Sequence, residues 1–322
     1  MKKTILAVAL ASLFVGSASA ATVYKNDSGD NLKVYGGMEI GGTFVADKDK
    51  GAFKSNKTYV DDSFLTIGAK GQTGDIFAKF ELDAERTDWT VDNNFRLVID
   101  KAYIGYNIAP KHSIEVGRTD TAYDHYDAFG DFSNELAAEV SEAGDQDNTI
   151  KYRGQFGSVK VGVSHSLEGW DAETDGKGKV TKGYITDSRE GKVTNGYVGY
   201  FAEQFTVIAA AETVDDRGEL YSLHAEASFD KFGIGGFVSS SDKEKDQDDS
   251  MTYVLSAKYG ITEQLTLLAV GNVVDHDQDK KDDEWVVVGG EYKYAKNVKL
   301  AAEIAAGGEK GTLGYVKAYY WF

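Results

Sequence analysis

Leu32-Lys33-Val34-Tyr35-Gly36-Gly37-Met38-Glu39-Ile40-Gly41-Gly42-Thr43-Phe44 is the stretch from which the fold is read. Leu32, Val34, Met38, Ile40 and Phe44 share one parity; Lys33, Tyr35, Glu39 and Thr43 share the other. Side chains of a β-strand point alternately to its two faces, so this period of two describes a strand with one apolar and one polar face. The alternation returns at Leu65-Ile67-Ala69, Ile76-Ala78-Phe80-Leu82, Val159-Val161-Val163, Phe205-Val207-Ala209-Ala211, Leu265-Leu267-Ala269 and Leu300-Ala302-Ile304.

Working outward from that stretch, sixteen segments of this kind are predicted, over residues 32–45, 62–71, 76–85, 95–106, 112–117, 149–154, 159–166, 194–201, 205–213, 220–229, 233–240, 251–259, 265–274, 284–294, 298–306 and 312–322. Short connections (71–75, 107–111, 202–204, 230–232, 260–264, 295–297) alternate with long polar ones (46–61, 86–94, 118–148, 167–193, 241–250, 275–283). In an up-and-down meander, alternate connections lie at opposite ends of the sheet. Short turns at one end and long loops at the other, with an even strand count, are the signature of an outer-membrane barrel. Closure removes edge strands, which otherwise invite aggregation. The predicted fold is therefore all-β, a 16-stranded antiparallel transmembrane β-barrel wide enough for an aqueous channel.

The two chain ends agree with this. Lys2 and Lys3, the apolar run from Ile5 to Val15, and small residues at Ala18 and Ala20 read as a secretory signal over residues 1–20. The run is shorter than a spanning helix needs, about 20 residues. The barrel is then assigned to 21–322. At the other end, where the chain closes on Tyr319-Tyr320-Trp321-Phe322, the residues Tyr319, Tyr320 and Trp321 suit an interfacial aromatic girdle. In lipid only helices and closed barrels satisfy their backbone polar groups, and no later segment is long and apolar enough for such a helix.

Composition narrows the chemistry. There is no cysteine, so no disulfide or thiol chemistry is expected. The formal net charge of −17 argues against nucleic acid as a partner. The five histidines, at 112, 125, 165, 224 and 276, show no H-E-x-x-H spacing. Neither a G-x-S-x-G motif nor a P-loop is present. No catalytic residue, cofactor or metal is expected. Asp275-His276-Asp277-Gln278-Asp279 and the acids between 246 and 249 read as charged loop tips, since the glycine and distal glutamate of a calcium loop are missing.

Several short motifs carry a resemblance. Val23-Tyr24-Lys25-Asn26-Asp27 followed by Leu32-Lys33-Val34-Tyr35-Gly36, then Ile67-Gly68-Ala69-Lys70-Gly71, Ala102-Tyr103-Ile104-Gly105-Tyr106 and Val116-Gly117-Arg118 occur in an order that covers nearly the whole chain. In these the chain resembles the trimeric general porins of Gram-negative bacteria. The resemblance implies a homotrimer in outer-membrane lipid and lipopolysaccharide, passage of small hydrophilic solutes and ions, and a third loop folded into the barrel. The terminal Tyr320 and Phe322 resemble the aromatic signal that the barrel-assembly machinery reads.

Here the third long loop, 118–148, carries Asp120, Asp124, Asp127, Asp131, Glu135, Glu139, Glu142, Asp145 and Asp147, and 119–148 holds no Lys or Arg. Of the family's Pro-Glu-Phe-Gly-Gly motif only Phe129-Gly130 remains. Residues 134–143 have helical spacing and predict a short helix. The resemblance implies a basic cluster facing the loop. By position one member matches Arg153, while Gly37, Thr66 and Asp100 stand where the others would be. Lys70, Lys79, Lys151 and Lys160 point inward by parity and partly replace them.

Carboxylates on a low-dielectric wall raise the local cation concentration, so the expected pore favours cations. A substrate-selective oligosaccharide channel is the alternative, with Tyr35, Phe77, Tyr106 and Trp170 as candidate lining aromatics. An adhesive barrel and an outer-membrane hydrolase are further readings that the residues leave open.

Overall fold

The computed structural model describes residues 20–45, 59–86, 95–140, 142–167, 173–174, 180–182, 192–215, 218–243, 249–277, 282–308 and 311–322. Residues 1–19 of the expected signal, Trp170, Asp246 and Asp248 lie outside the described residues.

Sixteen strands form the wall. They are β1 (Asn31–Val45), β2 (Phe64–Thr73), β3 (Ile76–Arg86), β4 (Phe95–Ala109), β5 (His112–Asp120), β6 (Asp145–Phe156), β7 (Val159–Ser166) and β8 (Val193–Phe201). The second half comprises β9 (Phe205–Val214), β10 (Gly218–Phe229), β11 (Phe232–Lys243), β12 (Ser250–Gly260), β13 (Leu265–His276), β14 (Asp283–Ala295), β15 (Val298–Gly307) and β16 (Leu313–Trp321). Each pairs antiparallel with its sequence neighbour, and β16 pairs back onto β1 from Trp321 opposite Gly37 to Leu313 opposite Val45. A short strand, Ala21–Lys25, continues the β16 edge along β1, Ala21 opposite Val34. The carboxyl end is locked between them: Gly36 N donates to Phe322 O (3.0 Å) and Phe322 N to Gly36 O (2.9 Å).

The period of two sets the faces. Ile40, Ile67, Phe80, Ile104, Val163, Val198, Leu223, Leu255, Val286, Ile304 and Val316 are exposed on the outer surface. Exposed Tyr106, Phe156, Tyr200, Phe205, Phe229, Phe232, Tyr259, Tyr292 and Tyr294 all stand beside the short turns. They ring one end of the barrel as an aromatic belt, where amphipathic rings match a lipid–water boundary. Tyr106 therefore belongs to the belt and not to the lumen lining. Two terminal aromatics are corrected the other way. Tyr319 is buried and stacks on Trp321 with ring centroids 5.6 Å apart, and both lie on the parity of Lys317, inside the barrel. Tyr320 and Phe322 hold the outward parity of Val316.

Candidate functional site

Strands β5 and β6 run further than their alternation suggested, so the third loop is 121–144. It crosses the lumen. Its neck is tied by Thr121 N donating to Gly144 O (3.2 Å) and by Ala122 N donating to Ser164 Oγ (2.9 Å). A single 3-10 turn follows at Asp124–Tyr126. The Tyr123 hydroxyl meets Ser222 Oγ (2.5 Å) and His224 Nε2 (2.8 Å) on β10, and His224 Nδ1 meets Phe129 O (2.9 Å).

Gly130 makes the closest approach. Its φ is +91°, and a Cβ there would lie 2.7 Å from Gly236 N and 2.8 Å from Ala225 O. Only glycine fits that conformation and that contact. This is the physical content of the Phe129-Gly130 fragment. Ser256 Oγ donates to Gly130 O.

The predicted helix over 134–143 does not form among the described residues of that span. The wall takes the groups a helix would pair internally. The Glu303 carboxylate accepts from Asn134 N, Asn134 Nδ2 (2.9 Å), Glu135 N (3.2 Å) and Leu136 N (3.2 Å). Ala138 N donates to Asn272 Oδ1 (2.9 Å), and Trp285 Nε1 donates to Leu136 O (2.8 Å). Charge-assisted bonds of this kind exceed neutral ones in strength. Between them Leu136, Ala137, Ala138 and Val140 are buried in one cluster with Ile208, Leu220, Val254, Val270 and Val287 of the wall.

The other side of the lumen is polar. Lys101 forms ion pairs with Asp100 (3.2 Å), Asp120 and Asp145. Leu97 and Ile99 hold the outward parity before Asp100, and Ile104 and Tyr106 hold it after Lys101; a bulge where β3 pairs β4 joins the two runs, so Asp100 and Lys101 lie side by side on the lumen wall. Buried Glu115 binds both Lys151 (2.8 Å) and Arg153 (2.8 Å). Lys151 Nζ also donates to Thr119 Oγ1 (3.0 Å) and Asp120 O (2.7 Å), so this lysine is a strut from β6 to the end of β5 from which the loop springs. Lys70 and Lys79 sit over the Tyr35 ring at 5.3 and 5.7 Å. Thr66 is opposite Gly37, and the space beside Gly37 is taken by the Trp321 ring, 3.0 Å from where its Cβ would be. Lys317, which position-matching did not single out, bridges Glu39 (2.9 Å) and Asp62 (2.6 Å).

The loop acids separate by environment. Glu135 and Glu139 are exposed, while Asp124, Asp127, Asp131 and Glu142 are partly buried. Burial pushes the Asp124 carboxyl up to about 7, helped by Asp120 and Asp127. Burial pushes Asp127 to about 6 and Glu142 to about 9, the latter with Asp124 and Glu212 adding; Glu135, exposed as a residue, is still pushed to about 7 by partial desolvation of its carboxyl and by Asp62. Asp131 is raised by burial against bonds from Ser133. Desolvation disfavours a charge, so the loop carries less negative charge at neutral pH than its composition suggests. Carboxyl oxygens of Asp120, Asp124 and Asp145 lie within 4.8 Å of one another, as do those of Asp124, Asp127 and Glu142.

Sequence reasoning missed Lys101, Glu115, Glu303, Trp285 and Lys317. Glu115, Glu303 and Lys317 hold the inner parity of their strands. What parity lacked was the loop's path, which turns a wall carboxylate into a loop anchor. His224 lies inside the wall, whereas His165 bonds Thr194 (2.7 Å) at an exposed site.

A closed barrel with an apolar exterior, an aromatic belt and a charged lumen narrowed by an inserted loop is a membrane channel. The family model for Gram-negative porins matches residues 7–312, and the chain belongs to that family of outer-membrane channels. A monosaccharide porin of a Halomonas species is 26% identical over 285 residues, covering 81% of this chain and 76% of its own. The major outer membrane protein of Halomonas elongata matches to the same extent: 26% identity, 81% and 76%. Among solved structures, Salmonella typhi OmpF in complex with daunomycin superposes with TM-score 0.68 at 14% identity, covering 94% of this chain and 100% of that one. A variant of Rh. blastica porin gives TM-score 0.65 at 17% identity, covering 90% and 100%. These superpositions show the shared fold.

Proposed function

We propose that the protein is a passive diffusion pore for small hydrophilic solutes and ions, and that it prefers cations. The observation that carries this reading is the inserted loop: it presents Glu135 and Glu139 exposed, holds Asp124, Asp127 and Asp131 behind them, and contains no Lys or Arg. The wall cations facing it are largely matched already. Arg153 and Lys151 share Glu115, and Lys101 sits among Asp100, Asp120 and Asp145. Lys70 stays exposed to the lumen, Arg153 is partly exposed, and Lys160 forms no ion pair among the described residues, while Thr66 and Gly37 contribute no charge. A reversal potential measured in a planar bilayer under a KCl gradient tests the preference. Potassium is expected to dominate; preferential chloride passage would overturn it.

The working unit in this reading is a homotrimer in outer-membrane lipid and lipopolysaccharide, assembled after cleavage of residues 1–20 and recognised through Tyr320 and Phe322. An apolar outer groove of about 760 Å³, lined by Ile40, Phe44, Leu300 and Val316 among others, offers a face for a neighbouring subunit. A second reading is favoured by the relative named for monosaccharides: a channel with a preference for small sugars. Saturable sugar flux would support it, and flux depending on size alone would remove it.

A further inference from the structure

Between the inserted loop and the wall of β4 to β8, toward the short-turn end, lies a cavity of about 340 Å³. Four cations line it: Lys111 at the turn, Lys151, Arg153 and Lys160. Arg153 donates to Glu115 at 2.8 Å, and its side chain stays 37% exposed. Lys160 holds Nζ 4.0 Å from the Phe201 ring centroid and forms no ion pair among the described residues. Glu115 is shared with Lys151, and the cavity lining itself contains no aspartate or glutamate. In a chain whose net charge is −17, this is a concentrated positive patch set in a low-dielectric wall. Such a patch draws in anions.

The rest of the lining describes what else the anion carries. Tyr126 and Tyr197 lie with ring centroids 4.6 Å apart, and both line the cavity. Asn107 and Gln155 add amide donors and acceptors. Ring faces suit the C–H surface of a sugar, and amides suit its hydroxyls. The volume is at the low end of ligand pockets, which run from about 300 to 1,000 Å³, and matches a single ring.

We infer that this cavity is a subsite for monosaccharides that carry a carboxylate, the sugar acids, with the carboxylate between Arg153 and Lys160 and the sugar ring against Tyr126 and Tyr197. The inference rests on the channel reading but not on its ion preference. The loop acids set the bulk ion bias, and the subsite acts on one class of permeant solute beneath them.

Saturation-transfer NMR on the detergent-solubilised full chain tests it, with glucuronate, glucose and acetate as probes. Glucuronate ring protons are expected to receive saturable transfer, with glucose and acetate at least tenfold weaker. Lys160→Gln is expected to weaken glucuronate at least tenfold, while Lys296→Gln, on a short turn, leaves it unchanged. Native affinity in Lys160→Gln would overturn the assignment. So would glucose or acetate binding as tightly as glucuronate. Conductance in a KCl-bathed bilayer is read on the same preparations; its absence would sink the channel reading while the binding result stands on its own.

Discussion

The lumen has two unlike halves. From β9 to β14 the inner positions include Ile208, Leu220, Phe237, Val254, Leu268, Val270 and Val287, all buried. From β1 to β7 they include Lys70, Lys79, Lys101, Glu115, Lys151, Arg153 and Lys160. The inserted loop has matching halves. Its apolar residues at 136–138 and 140 pack on the first wall, and its neck acids face the second. The difference teaches how a loop is held across a wet pore. Apolar burial on one side fixes it, and the charged opposite wall keeps the remaining channel hydrated.

Undoing the apolar side should have the largest effect. Trp285→Ala removes a buried ring and the donor to Leu136 O. Truncation of a buried aromatic costs about 3–5 kcal/mol. Thermal melting in detergent should fall, and single-channel conductance should rise as the loop leaves its seat. An unchanged conductance would show that other contacts hold the loop.

Glu303→Gln is the next step down. It keeps the shape but replaces the charge that accepts four loop donors. Hydrogen bonds to a charged group are worth about 1.5–3 kcal/mol. Increased open-channel noise with a smaller loss of melting temperature is expected.

The charged half is read by pH. Asp124 and Glu135 titrate near 7 and Asp127 near 6, each raised by burial. Raising pH from 5 to 8 should therefore increase the potassium-to-chloride permeability ratio several-fold, with the midpoint between 6 and 7. The sign for loop docking is opposite. These carboxyls sit above their unfolded values, so docking is strongest when they are protonated and weakens as pH rises through their folded values, last for Glu142 near 9. A selectivity flat across this range would remove the loop acids from the conduction path.

Lys70→Gln should be the mildest change. It removes an exposed lumen cation that has the Tyr35 ring beneath it. Cation preference should rise by less than about twofold, since exposed charges are screened beyond a Debye length of about 10 Å. Melting should be unaffected.

The sixteen strands and their loop sorting were legible because alternation and turn length are local properties of the chain. The apolar half of the lumen also left a trace: Val207 to Ala211, Leu267 to Val270 and Val286 to Val288 are apolar on both parities. Alternation assigns those residues no packing partner, because the loop that covers them is distant in sequence. The helix over 134–143 was misread for a non-local reason. Its spacing was right, but Glu303, Asn272 and Trp285, more than a hundred residues away, compete for its backbone groups.

By itself the sequence determined an all-β chain with one apolar face on each strand, short turns at one end, and an acid-rich third loop without a cation. Barrel closure and the loop's path through the lumen were decided by the tertiary structure. They also decided that Lys151 is a strut while Lys160 stays open, and that Glu303 is an anchor. The reason is that parity tells which face a side chain occupies, whereas a charge acquires its role from the partner that the closed wall brings opposite it.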